Sequence, residues 1–117
     1  MRSRNLAVGQ WGENQAMEFL LRHGFKILEN NYHTAQGEID IVAKKGDDFY
    51  FIEVKTRKMG EMSNDLAVTR TKMDRFKKAV SKYCYKEDIG EVGVVVAIII
   101  ISYKMPSLVN IRFVPVY

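Results

Sequence analysis

Two acidic residues and a lysine interrupt the apolar runs of the segment GEIDIVAKKGDDFYFIEVKTR, residues 37–57. Asp40 stands between isoleucines, Glu53 precedes Val54, and Lys55 follows Glu53 by two positions. An unpaired charge is costly inside a core strand. A divalent cation held between the two acids would remove that cost, and carboxylate oxygens are the ligands that suit Mg²⁺ or Mn²⁺.

The same segment predicts a β-hairpin, because apolar and polar residues alternate on both sides of KKGDD. Side chains alternate between the faces of a strand, so Glu53 and Lys55 should share a face. A two-residue turn at Gly46-Asp47 would place Asp40 directly opposite Glu53. A four-residue loop would leave the two acids diagonal on one face, and a three-residue loop would separate them.

The three residues together suggest hydrolysis of a phosphodiester. Two carboxylates that face each other on a sheet repel, unless a cation lies between them. A metal ion, the water it activates and a nearby lysine are the groups that such hydrolysis needs. The alternative is a solvated hairpin face that carries an ordinary ion pair of little energetic value. Because two acids and a lysine at this spacing also arise by chance, the hypothesis depends on their placement in one hairpin.

Glu13 is a fourth candidate, upstream of the hairpin. It precedes Met17 and Leu20 by four and seven residues, which puts it on the stripe of a predicted helix that faces the core. A core-facing glutamate needs a partner, and a metal site would supply one. An acid near the start of a helix is also favoured by the helix dipole alone, so this alternative stays open.

These residues must be positioned by an α/β fold. Hydrophobic periodicity predicts the order α-β-β-β-α-β-β, with Pro115 marking the last strand as an edge strand. The predicted elements are a helix over residues 5–23, a short strand near 25–32, hairpin strands over 39–43 and 49–56, a helix over 69–86, a strand over 92–102 and a final strand after Pro106. This order predicts a mixed sheet with helices packed on it.

Length and composition limit the class of protein. The 117 residues suit one domain, residues 1–117, and the single cysteine, Cys84, suits a reducing compartment. The N-terminal stretch has no long apolar region, and the longest apolar run, VGVVVAIIII, is about half a membrane span. We therefore expect a cytoplasmic protein with no membrane partner. A net charge of +4 permits binding to nucleic acid without demonstrating it.

The stretch GQWGENQAMEFLLRHGFKILENNYHTAQGEIDIVAKKGDDFYFIEVKTR resembles the YraN-type family of endonuclease-like proteins, within the PD-(D/E)xK restriction-endonuclease-like superfamily. Archaeal Holliday-junction resolvases share that architecture. The resemblance covers roughly residues 9–83 and is most specific in GQWGE, GEIDIV and FIEVKTR. It implies a restriction-endonuclease-like fold, in which a central mixed β-sheet is flanked by α-helices.

The resemblance also implies residue roles. Asp40 and Glu53 would hold Mg²⁺ or Mn²⁺ with help from the Val54 carbonyl, Lys55 would be catalytic, and Glu13 would be the helical acid. The implied activity is metal-dependent cleavage of DNA, including branched or structured DNA. Two alternatives are a non-catalytic nucleic-acid-binding module that keeps the nuclease fold, and a structural partner within a repair complex. A homodimer is also compatible with the sequence.

Basic residues after the hairpin are candidates for contact with phosphate, although a solvated helix face would look the same. These candidates are Arg57, Arg70, Lys72, Arg75 and Lys78. Trp11, Tyr83 and Tyr85 are expected to be core or boundary aromatics rather than platforms on which bases stack. The chain departs from the family pattern at His33, where arginine is usual, and at Gly93, where aspartate is usual. Its last strand also matches poorly.

Overall fold

The computed structural model describes residues 2–60, 70–90, 93–104 and 108–116. The predicted order of elements is confirmed. The elements are α1 (Arg2–Arg22), β1 (Lys26–His33), β2 (Glu38–Lys45), β3 (Asp48–Lys58), α2 (Arg70–Lys86), β4 (Val94–Lys104) and β5 (Leu108–Pro115). Thr69 and Val92, which were predicted to begin the second helix and the fourth strand, lie outside the described residues.

The five strands form one mixed sheet in the order β1-β2-β3-β4-β5. Neighbouring strands are antiparallel except β3 and β4, which are parallel. Parallel neighbours need a crossover connection, and α2 lies in it. The prediction of a central mixed β-sheet flanked by α-helices is confirmed, and it is consistent with a restriction-endonuclease-like fold. None of the helices in the described part of the chain has the length and apolar character needed to span a membrane.

The helices cover opposite faces of the sheet, each over its own apolar cluster. The α1-side cluster contains Ala16, Leu20, Ile41, Ala43, Ile52, Ala97, Ile99 and Ile101. The α2-side cluster contains Ile39, Val42, Phe51, Phe76, Ala79, Val80, Tyr83 and Val96. The apolar periodicity that predicts the second helix is matched by its buried residues, Phe76, Ala79, Val80 and Tyr83, which face the sheet. The lysine and arginine side chains of α2 are exposed.

The hairpin turn forms as the two-residue alternative predicted. Lys45 pairs with Asp48, and Gly46 takes a φ of 61°, which is a conformation that favours glycine. The register continues in step as far as the pair Ile41 and Ile52. The hairpin therefore carries Asp40 and Glu53 to its open end.

The last two strands also match the prediction. β4 lies between β3 and β5, while β5 is an edge strand whose last paired residue is Pro115. Gly93 precedes β4 with a φ of 80°, and a Cβ placed there would lie 2.9 Å from the Asp47 carbonyl oxygen. An aspartate would be strained at this position, which gives the departure at Gly93 a local structural reason.

A close approach between α1 and β3 positions the helix that carries Glu13. Gly12 is buried, and a Cβ added to it would collide with the Thr56 side-chain oxygen. Gly9, one turn earlier on the same helix, has nothing within 4 Å of such a Cβ. Packing thus requires glycine at position 12 and does not require it at position 9.

We expect Gly12→Ala and Gly9→Ala to change stability in opposite directions. Overpacking costs about 1–3 kcal/mol, so Gly12→Ala should lower the melting temperature. Gly9→Ala should raise it, because alanine is better than glycine in a helix by about 1 kcal/mol. Thermal unfolding of both variants tests this, and Gly12→Ala/Thr56→Ala should recover part of the loss. Equal effects of the two single substitutions would contradict the close approach.

Candidate active site

Regular strand alternation breaks at Asp40. Ile39 packs in the α2-side cluster, whereas Ile41, two residues later, packs in the α1-side cluster. In a regular strand these two side chains would share a face. The neighbouring strand is irregular at the same level, since Asn31 of β1 has a φ of 54°. The direction of the Asp40 side chain is therefore not fixed by the regular alternation of the strand.

The freed Asp40 side chain bonds to the neighbouring strand. Its Oδ2 accepts a hydrogen bond of 2.8 Å from the Val54 backbone N–H. The described ladder between β2 and β3 ends at Ile41 and Ile52, so the expected cross-strand pair of Asp40 with Glu53 is not formed. That expectation is corrected: a side-chain bond to Val54 takes the place of continued pairing.

The predicted residues nevertheless meet in one cleft of about 560 Å³, at the open end of the hairpin. Asp40, Glu53, Val54 and Lys55 line its floor, and α2 and the β1–β2 turn form its walls. The wall residues are His33, Thr34, Ala35, Gln36, Gly37, Glu38, Lys72, Arg75 and Phe76. The turn residues were not predicted, because the segment HTAQG has only the composition of an ordinary turn.

Glu53 is buried, with 7% of its surface exposed. Among the described residues no other charged side chain is buried. Its Oε1 lies 3.2 Å from Lys55 Nζ and 3.5 Å from Lys72 Nζ. Its Oε2 is also buried, and it has no hydrogen-bond partner among the described residues. A buried carboxylate oxygen without a donor is unfavourable, and a bound cation would satisfy it.

Glu13 approaches the site from the α1 side and is not among the cleft-lining residues. Its Oε1 accepts a hydrogen bond of 3.4 Å from Asn30 Nδ2, and the same amide donates to the Asp40 carbonyl oxygen at 3.4 Å. Glu13 therefore reaches the Asp40 backbone through Asn30. Sequence reasoning missed Asn30, whose only signal was a polar residue inside a predicted strand.

Burial changes the protonation of the cleft residues. It raises the pKa of Asp40 to about 6, against the lowering effect of the Val54 hydrogen bond, and the charges of Glu13, Glu53 and Glu38 raise it further. Burial also lowers the pKa of Lys55, as does the neighbouring Lys72, while Glu53 opposes this shift. Asp40 therefore holds a proton more tightly than an ordinary aspartate, mainly because it is buried, and Lys55 loses its proton more easily than an ordinary lysine.

The donor set suits Mg²⁺ or Mn²⁺, which do not need a coordination shell made entirely of side chains. Within the described residues, no group of three or more His, Cys, Asp or Glu side chains could hold a metal. Two carboxylates and the Val54 carbonyl would form only part of a shell. Mg²⁺ keeps several waters and commonly takes further ligands from phosphate. The unpartnered Glu53 Oε2 is the observation that favours a cation here.

The predicted phosphate-contacting residues are distributed unevenly. Lys72 and Arg75 line the cleft, whereas Lys78 lies in a neighbouring depression with Lys77, Lys82, Ser81 and Gln36. Arg70 is exposed at the start of α2. Arg57 does not line the cleft; its Nε is buried and has no hydrogen-bond partner in the described part of the chain. His33 is exposed, and its Nδ1 lies 3.0 Å from Glu38 Oε2.

The raised pKa of Asp40 predicts a pH-dependent stability in EDTA. Between its ordinary value of 3.8 and about 6, the folded protein holds this proton more tightly than the unfolded chain. The free energy of unfolding should therefore fall as pH rises through this window. Asp40→Asn imitates the protonated form, and its amide oxygen can still accept from Val54. Thermal melts should show Asp40→Asn more stable than wild type at about pH 8, with the difference shrinking towards about pH 4.

Asp74→Asn is the matched control, because Asp74 is exposed on α2 and loses the same charge. It should show no such pH-dependent difference from wild type. A destabilised Asp40→Asn variant at the higher pH would contradict the inference that burial of the Asp40 charge destabilises the fold.

Comparison with known proteins identifies the family. Residues 12–106 match the model of the uncharacterised protein family UPF0102. A UPF0102 protein of Syntrophomonas wolfei is 45% identical over 80 residues, which are 68% of this chain and 70% of that protein. One from Dictyoglomus thermophilum is 40% identical over 110 residues, 93% of this chain and 79% of its own length. A third, from Campylobacter fetus, is 36% identical over 102 residues, 87% and 90% of the two chains. This chain belongs to the UPF0102 family.

Proposed function

We propose that this protein is a metal-dependent nuclease of the PD-(D/E)xK superfamily that hydrolyses phosphodiester bonds of DNA, including branched or structured DNA. The observation that carries the proposal is the buried, unpartnered Glu53 Oε2, in a cleft shared with Asp40 and Lys55. A purely structural ion pair would leave no such acceptor unused. The resemblance of GEIDIV and FIEVKTR to that superfamily supports the same assignment.

Each cleft residue then has a defined task. Asp40, Glu53 and the Val54 carbonyl would hold Mg²⁺ or Mn²⁺. The ion, when bound, would polarise the scissile phosphate and lower the pKa of a bound water. The bond from Val54 N–H to Asp40 Oδ2 holds this carboxylate in a single orientation. Lys55 is in position to stabilise negative charge that develops on the phosphate.

Residues outside the floor of the cleft support binding and orientation. Glu13 acts through Asn30 on the Asp40 backbone, so it is a positioning residue. Lys72 and Arg75 line the wall where a phosphate backbone would enter. Arg57, Arg70 and Lys78 would add phosphate contacts that do not depend on sequence.

Substitution of the two acids tests the proposal. Asp40→Asn and Glu53→Gln should each abolish cleavage in a panel of single-stranded, duplex, flap and four-way DNA with Mg²⁺ or Mn²⁺. Lys55→Ala should reduce the rate by roughly 10²–10³-fold, as removal of a group that stabilises transition-state charge does, and should leave metal binding intact. Asp74→Asn controls for the loss of one acid and should cleave normally.

Cleavage that persists in repurified Asp40→Asn or Glu53→Gln protein would contradict the assignment. DNA binding by wild type without cleavage of any substrate would instead indicate a non-catalytic binding module.

The contact of Lys72 with Glu53 predicts competition with the metal ion. Lys72 Nζ lies 3.5 Å from the carboxylate that would receive the ion, so Lys72→Gln should bind Mn²⁺ more tightly than wild type. Lys78→Gln removes the same charge from the same helix at a position outside the cleft. Partly exposed ion pairs are worth up to about 1 kcal/mol, so we expect a roughly two- to fivefold difference between the variants in calorimetric titration. Equal affinities would contradict competition at Glu53.

A further inference from the structure

Tyr85 is unusually exposed for an aromatic residue. It lies in the last turn of α2 with 91% of its surface accessible, whereas Tyr83, two residues before it, is buried in the α2-side cluster. The expectation that Tyr85 is a core or boundary aromatic is therefore wrong. The reason is helical geometry, because two residues along a helix point to different sides. Its ring contributes nothing to the core and is available to a partner.

The groove beside Tyr85 is lined by basic and neutral residues. A shallow groove between the end of α2 and the β1–β2 turn is lined by Tyr32, His33, Thr34, Ala35, Ser81, Lys82, Tyr85 and Lys86. No carboxylate lines this groove in the described part of the chain. Lys82 lies one turn before Tyr85 on the same side of the helix, and Lys86 lies one turn after Lys82. An exposed ring in a groove that two cations also line suits a ligand that combines flat apolar rings with negative charge.

The groove is continuous with the candidate active site. His33, Thr34 and Ala35 line both the groove and the cleft. A second depression, which contains Lys77, Lys78 and Lys82, adjoins the cleft at Gln36 and the groove at Ser81 and Lys82. Basic residues of α2 thus line all three of these depressions, from Lys72 in the cleft to Lys86 in the groove.

We propose that this groove binds an unpaired strand of DNA that leaves the cleft, and that the Tyr85 ring stacks on one of its bases. Stacking requires an exposed base face, which a base inside a duplex does not offer, so Tyr85 selects for single-stranded character. A positively charged groove with an aromatic platform is the general arrangement for binding single strands. The inference rests on the proposed nuclease function, and it names the substrate class as DNA with an unpaired segment.

The distance along α2 sets the length of strand required. Tyr85 follows Lys72 by 13 residues, which at 1.5 Å per residue is about 20 Å along the helix. An unpaired strand that stays stacked as in a duplex, with about 3.4 Å between nucleotides, needs roughly six of them to cover this distance, and a more extended strand needs fewer. A blunt duplex end therefore cannot reach Tyr85 with an unpaired base, whereas an overhang of about ten nucleotides can.

Binding in EDTA tests the inference separately from cleavage. Fluorescence anisotropy would compare a blunt duplex with the same duplex carrying a single-stranded overhang of about ten nucleotides at either end. Tyr85→Ala should weaken binding to an overhang duplex about tenfold, since one stacked base is worth about 1–3 kcal/mol. Tyr85→Phe keeps the ring and should stay within about twofold of wild type. All variants should bind the blunt duplex alike.

Leu21→Ala is the matched control, because Leu21 is an exposed apolar residue on α1, on the opposite face of the sheet. It should bind every DNA as wild type does. Equal binding of overhang DNA by wild type and Tyr85→Ala, or equal loss on blunt and overhang DNA, would overturn the stacking role and leave the nuclease proposal standing. No binding of any DNA by wild type would contradict both proposals. A change in oligomeric state in Tyr85→Ala, with unchanged DNA binding, would assign Tyr85 to a protein contact instead.

Discussion

The hydrogen bond from the Val54 backbone to the Asp40 carboxylate is the interaction on which the site depends. A backbone N–H in the middle of a sheet must be satisfied, and a main-chain carbonyl normally does this. Here a side chain does it, and the two strands can separate without leaving that donor unpaired. The separation opens the cleft, while the bond holds one ligand of the proposed metal in place. The cost is that the Asp40 carboxylate is poorly solvated, and this burial raises its pKa.

Charge balance around Glu53 follows from the same separation. A buried carboxylate needs compensation, and two lysines from different elements approach one of its oxygens. Lys55 is supplied by the same strand, so the spacing of two residues is enough to place it. Lys72 is supplied by the helix that connects the two parallel strands. The other oxygen of Glu53 is left buried, with no donor from the described residues, in the cleft that Asp40 also lines.

The sequence predicted elements that depend on periodicity and turn chemistry. The apolar stripe of α2, the turn at Gly46 and the edge position of β5 each follow from local residue types. The break at Asp40 could not be predicted in this way, because it depends on Asn31 and on competition between a side chain and the backbone for Val54. The exposure of Tyr85 was missed for another reason. An aromatic residue type favours burial, but Tyr83 occupies the side of the helix that faces the core. Tyr85, two residues later, therefore points into solvent.

The described residues that line the cleft all lie between His33 and Phe76, and none of them belongs to β5. β5 reaches β3 only through β4, by pairing at the far edge of the sheet. Substitutions on the solvent side of β5 therefore leave the chemical groups in place, provided that the pairing with β4 survives. The poor match of the last strand to the family pattern is compatible with an unaltered cleft. Because the cleft and the β5 edge are built from different parts of the chain, that edge can acquire contacts of its own without changing the cleft-lining residues.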